Sequence, residues 1–239
     1  MSIYITNAIR DDGFGAQYQS IIFTILYAEL YNLKFVYRPF SKMAHNYDND
    51  ENFLEKKEQL INIQNNFPSI DSIDPKKLLN LNLKQIYNEV EQRLNLLTIS
   101  DSFHKIKKLF YENKIPSSEQ NTLSVHIRRA NKFDIGTYGY ESDNYYLKAI
   151  EYVLKENPEI EKIKIYSQGQ TDQFENFKSN LVELHLNEPI EKTFSDLVFS
   201  NHFIMSKGSF SYTAGLLNQN SVYYLPFWHP PLNQWTTIK

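Results

Sequence analysis

A chain of 239 residues with a formal charge of −3 and no cysteine can bury one large core or two smaller ones, and it excludes disulfides, thiolate metal sites and a cysteine nucleophile. The near-neutral balance offers no global basic field for nucleic acid or an anionic membrane. No basic-then-apolar leader opens the chain, and the most apolar run, around residues 21–30, carries polar side chains and is too short to span a bilayer; the expectation is a soluble, cytoplasmic protein.

The first elements form a βαβ unit: a strand at 3–5, a polar turn from Asn7 to Gly15, an amphipathic helix over 16–31 and a strand at 34–37. Gly13-Phe14-Gly15-Ala16-Gln17 sits between strand and helix. Glycines there let the chain turn tightly and a ligand approach, while a helix amino terminus favours an anion. A plain glycine turn explains the same residues, since Tyr18 stands where a dinucleotide fingerprint wants its last glycine and no Walker lysine follows. Residues 41–118 are richer in Asn, Lys, Glu and Gln, with helical apolar spacing over 53–63, 81–98 and 102–112. Asp48-Asn49-Asp50 matches the Asp-x-Asp pattern of metal-dependent transferases but lacks the apolar strand that presents such a pair, and it reads as a solvated loop. From residue 121 strands (122–127, 162–166, 181–184, 202–205, 221–225) alternate with helices (143–156, 171–179, 190–199, 211–218), which argues for a parallel sheet covered by helices. The six histidines show no metal-ligand spacing, so no metal site is expected.

Two segments of the second half carry chemistry. The strand at 122–127 discharges into His126, Arg128, Arg129 and Lys132. Ligands of open α/β sheets sit outside the carboxyl ends of the strands, and Arg holds phosphate oxygens through paired donors; the segment reads as an anion site, for a diphosphate. Lys207-Gly208-Ser209-Phe210-Ser211-Tyr212 follows a later strand and opens a helix near Tyr212. Ser209, Ser211 and the backbone amides there can cradle phosphate, or a serine can simply cap the helix. Phe227-Trp228-His229-Pro230-Pro231-Leu232 is apolar and rigid: it reads as a strap closing on the sheet, with Trp228 or His229 bordering an acceptor cleft as the other reading.

His126-Ile127-Arg128-Arg129-Ala130-Asn131-Lys132 resembles the His-x-Arg-Arg-x-Asp-(Lys) motif of the fucosyltransferase superfamily, which includes the α1,2-, α1,6- and protein O-fucosyltransferases. Three more segments resemble the family's in the same order: Gly13-Phe14-Gly15-Ala16-Gln17 its Gly-x-Gly-Asn-Gln loop, Asn144 to Ile150 its Tyr-Tyr-x-x-Ala-Ile helix, and Asp196-Leu197 through Ser209-Phe210-Ser211 its phosphate loop. Residues 41–118 have no counterpart. Asn131 replaces the family's Asp, and Ala16 its Asn.

The resemblance implies an α/β GT-B fold of two Rossmann-like halves with parallel sheets. The amino-terminal half, residues 1–118, would be trimmed, carry a helical insertion and face the acceptor; residues 119–239 would bind the nucleotide sugar. It implies inverting, metal-independent transfer of fucose or a related sugar from a GDP-sugar to a glycan hydroxyl, with no cofactor. Arg128 would hold the β-phosphate, His126 would lie against the nucleoside, and Ser209 with Phe210 and Ser211 would close over the phosphates. Gly13, Phe14, Gly15, Gln17, Arg129 and Lys132 complete the candidate nucleotide-sugar contacts. Asp172, in the loop after strand 162–166, either accepts from the guanine edge or caps a helix. Asp134 and Glu141 are the carboxylates near the arginine loop able to serve as a base. Two other functions stay open: the same fold using another nucleotide sugar, and a catalytically inactive nucleotide-binding scaffold.

Overall fold

The computed structural model describes residues 2–112, 114, 120–129 and 140–238. The chain forms two compact units, Met1–Ile115 and Pro116–Lys239.

In the first unit, β1 (Tyr4–Thr6), α1 (Phe14–Leu30) and β2 (Lys34–Val36) make a parallel βαβ unit with Ile5 opposite Phe35. The helix α1 is not amphipathic as expected: every residue from Phe14 to Ala28 except Ala16 is buried. A helix buried on all sides belongs inside a layered unit, and α1 packs against the strand pair as well as α3 (Leu83–Glu91) and α5 (Asp101–Tyr111), with α2 (Phe53–Ile61) against α5. The helix expected over 81–98 is broken. It stops at Glu91, Arg93 leaves helical geometry while donating to the Glu89 carbonyl and carboxylate, and α4 (Leu94–Leu97) resumes with Leu94 and Leu97 buried. The polar middle segment also extends the small sheet, through single bridges from Tyr4 to Leu78 and from Tyr37 to Ser69.

The second unit carries β3 (Thr122–His126), α6 (Asp143–Glu156), β4 (Lys162–Ser167), a 3-10 helix (Thr171–Phe177), β5 (Val182–Leu186), α7 (Ile190–Phe199), β6 (His202–Ile204), α8 (Ser209–Leu217), β7 (Ser221–Tyr224) and β8 (Thr236–Thr237). Its six strands are all parallel, in the order β5-β4-β3-β6-β7-β8. This is the doubly wound order, whose reversal point lies between β3 and β6 and opens a crevice at the strands' carboxyl ends. Apolar β3 and β4 residues (Leu123, Val125, Ile163, Ile165) meet Tyr146, Ala149 and Val153 of α6 in the core beneath. β8 was not read from the sequence; two threonines pairing with Tyr223 and Tyr224 carry no periodicity.

Candidate active site

The reversal point of the second sheet gathers the two segments singled out by their chemistry. His126 ends β3, and β6 leads through Ser206 and Gly208 into α8. The His126 Nδ1 lies 2.8 Å from Ser206 Oγ and 2.5 Å from Ser211 Oγ, and the two hydroxyls are 2.9 Å apart. The Ser206 amide donates to Ser211 Oγ at 3.1 Å. Ser211 therefore reaches back from the first turn of α8 and closes the strand-to-helix turn; it is wholly buried, so its hydroxyl serves this turn rather than an open phosphate site. The Phe210 ring stands 5.2 Å from the His126 ring and 5.3 Å from Phe194. Burial, and then the charge of Arg128, push His126 from the usual 6.5 down to about 3, so the imidazole is neutral. Ser206 was missed by sequence reasoning; a lone serine after an apolar strand carries no signal by itself.

Arg128 leaves β3 two residues after His126. A Cβ placed on Gly208 would stand 2.8 Å from Arg128 Nη1, so the glycine leaves the space the guanidinium occupies beside the α8 amino terminus. Gly208 is also the helix N-cap, in extended geometry and with no side chain to engage the first-turn amides. The helix begins at Ser209, two residues earlier than expected. An arginine beside a helix amino terminus concentrates positive potential there. The Tyr140 ring lies 5.6 Å from the Arg128 guanidinium carbon.

The other candidates are placed as follows. Arg129 pairs with Asp143 at 2.5 Å and covers the Phe174 ring at 4.9 Å, while Asp143 also accepts from Asn176 at 2.9 Å; its guanidinium ties the start of α6 to the 3-10 helix. Glu141 forms an ion pair with Lys207, whose ammonium lies 5.2 Å from the Tyr145 ring. Asp172 is exposed in the first turn of the 3-10 helix, but the cap is Gln170, whose amide donates to Gln173 Oε1 at 2.8 Å. The capping role considered for Asp172 is thus corrected: the helix starts one residue before it. Asn131, Lys132 and Asp134 lie outside the described residues.

The glycine loop belongs to the first unit. Gly13 caps α1, and a Cβ there would stand 3.0 Å from His45 Cδ2, a tight approach that the glycine leaves open. Phe14 and Gly15 are buried, Phe14 edge-on to Phe40 at 6.4 Å. The Gln17 amide donates to the carbonyls of Asp12 and Lys42, both at 2.8 Å, and so holds the loop to the segment after β2. Beside it, at the carboxyl ends of β1 and β2, Asn7, Arg10, Gln17, Phe40 and Ser41 line a small open concavity. Among the described residues there is no group of three or more side chains able to hold a metal ion, and no helix is long and apolar enough to cross a membrane.

No family model and no curated protein sequence matches the chain. Solved structures do. The heptosyltransferase WaaC of E. coli, with ADP-2-deoxy-2-fluoro heptose, superposes at a TM-score of 0.50 with 11% identity, covering 100% of this chain and 93% of that one. The fucosyltransferase NodZ from Bradyrhizobium gives 0.44 with 13% identity over 91% of this chain and 94% of that one. POFUT1 in complex with GDP-fucose gives 0.45 with 8% identity, over 99% and 97%. The WaaC likeness and the parallel doubly wound sheet establish the expected GT-B-like α/β fold.

Proposed function

We propose that the protein is a glycosyltransferase that takes a sugar from a nucleotide diphosphate donor, a GDP-sugar carrying fucose or a relative, and passes it to a glycan hydroxyl with inversion. The observation that carries this reading is the approach of Arg128 to the amino terminus of α8, made possible by Gly208. As the anomeric C–O bond breaks, its electrons pass to the β-phosphate oxygen, and negative charge grows there. A guanidinium and helix amides fixed in advance favour that charge more than the ground state. They supply the positive charge a metal ion supplies elsewhere, so the reading requires none.

His126 acts in this scheme as a neutral, immobile group. The Ser206 and Ser211 hydroxyls and the Phe210 ring hold it at the end of β3, as a wall for the nucleoside. Among the described carboxylates near the arginine, Glu141 is the candidate to accept the acceptor's proton, which requires that Lys207 release it or share it. Asp134 keeps the same role as an alternative, and Asp172 that of guanine reader.

A thermal-shift panel of GDP, UDP, CMP and ADP, with and without EDTA, tests the donor, because a ligand bound only by the folded chain raises its stability. A GDP-selective rise that survives EDTA and is lost in Arg128→Ala supports the proposal. A rise with another nucleotide moves the assignment to a different donor on the same fold, the reading that Asn131 and the unmatched middle segment favour. No rise with any of the four counts against the transferase and against the nucleotide-binding scaffold alike.

A further inference from the structure

The strap after β7 separates the two aromatic residues that the sequence left equivalent. His229 is buried at 6% exposure, whereas Trp228 is 56% exposed. The strap is anchored on both sides of the indole. The Tyr224 hydroxyl donates to the His229 carbonyl at 2.5 Å and accepts from the Phe227 amide at 3.1 Å; the Tyr212 hydroxyl donates to the Pro230 carbonyl at 2.8 Å. His229 stacks on Tyr212 at 4.8 Å, Leu232 and Trp235 are buried, and Pro226, Pro230 and Pro231 fix φ along the segment. Phe227 supports the indole edge-on at 5.0 Å.

The indole also stands on the right side of the sheet. β3, β6 and β7 are adjacent and parallel, so the strap leaves the same edge as His126 and Gly208. Contacts run without a gap between the two places: the Tyr212 amide bonds to the Gly208 carbonyl at 3.0 Å, Tyr212 stacks on His229, and the His229 and Trp228 rings are 6.0 Å apart. Among the described residues beyond Leu181, Trp228 is the one exposed large apolar side chain. One flat ring is far too little for a protein interface, which takes roughly 800 Å² from each partner. It matches the C–H face of a single pyranose, whose positively polarised hydrogens suit the negative face of an aromatic ring, and a ring already held rigid loses little entropy on binding.

We infer that Trp228 is a stacking platform for a pyranose ring of a bound saccharide, at the edge of the anion site built by Arg128 and α8. The choice of saccharide as ligand rests on the glycosyltransferase reading; the rigid, outward indole does not. The ring belongs either to the acceptor glycan or to the donor's own sugar, and the test separates them.

The full chain, Trp228→Ala and Trp228→Phe are compared on a glycan array, and the affinities of GDP-fucose and GDP are measured for each by calorimetry. Because the side chain is exposed, all three should melt together. Loss of glycan binding by about tenfold in Trp228→Ala, with Trp228→Phe within about threefold of the parent, is the expected result for an acceptor ring. If Trp228→Ala instead loses the difference in affinity between GDP-fucose and GDP, the stacked ring is the donor's. Unchanged array profiles and unchanged donor affinities overturn the inference. So does an array with nothing bound, when GDP-fucose binding is also insensitive to Trp228; nucleotide binding in that same sample leaves the transferase reading standing. Glycan binding that depends on Trp228, in a protein that binds no nucleotide, keeps the platform and removes the transferase.

Discussion

Arg128 and Gly208 occupy complementary space: the guanidinium fills the position in which a side chain on the glycine would begin, with Nη1 2.8 Å from that point. Gly208 has an extended backbone that any residue can adopt, so its value here is room rather than conformational freedom. Gly208→Ala should therefore fold with a melting temperature close to the parent's, since the contact it offends is the far end of a long side chain and not backbone. It should lose about tenfold in affinity for the nucleotide diphosphate as the guanidinium is displaced from the α8 amides. Calorimetric titration beside a thermal melt measures both; parent-like affinity would remove Arg128 from the anion site.

Arg128 and Arg129 are neighbours in sequence with separate tasks. Arg129→Met keeps an apolar stem on Phe174 but takes the guanidinium from Asp143, which is largely covered, and leaves it Asn176 among the described residues. Unfolding by urea should show a loss of about 1–3 kcal/mol, with nucleotide affinity unchanged. Arg128→Met should do the reverse, melting normally while turnover drops by about 10²–10³-fold, the size seen when one transition-state donor is removed. An Arg129→Met protein that is stable but cannot bind nucleotide would reverse these assignments.

Much of the second unit is readable in the chain because its strands are short runs in which apolar residues alternate with polar ones, separated by helices, as at 122–127 and 162–166. The end of β3 is equally plain, since charges on a strand end have no place in the core. Strand order is not readable. Nothing local says that β6 rather than β5 lies beside β3, and it is this pairing that brings Ser206 and Ser211 to His126. Helix texture misleads for the opposite reason: α1 contains Gln17, Gln19, Ser20 and Thr24 among its apolar residues and so looks amphipathic, yet all four are buried. Gln17 is satisfied by the Asp12 and Lys42 carbonyls, and Thr24 donates to the Ser20 carbonyl one turn back. Polar residues buried inside the unit cannot be told from surface residues by periodicity.

His126 links the site to pH. Its folded value near 3 lies below the usual 6.5, so between those limits the unfolded chain binds the proton and the folded chain does not. Stability must therefore rise with pH across that window: the contribution is complete above 6.5 and is lost progressively as pH falls towards 3. Melting temperatures measured from pH 7 down to pH 4 should decline more steeply for the parent than for His126→Gln, which cannot titrate. Parallel curves would mean that the ring reaches solvent and keeps an ordinary value.

Ser211 offers the sharpest separation of structure from binding. Its hydroxyl accepts from the Ser206 amide and meets both the Ser206 hydroxyl and the His126 ring, all within a buried turn. Ser211→Ala removes three contacts at once and leaves a buried amide and a buried imidazole nitrogen each with fewer partners, a change expected to destabilise by about 1–3 kcal/mol. Ser209→Ala, two residues earlier and half-buried in the first turn of the helix, should barely alter the melt but weaken nucleotide binding, as the proposed phosphate contact of its hydroxyl requires. Paired melts and titrations of the two variants test this division. If Ser211→Ala melts like the parent and binds nucleotide poorly, the hydroxyl that faces the ligand is Ser211, and the turn is held by something other than the histidine–serine contacts.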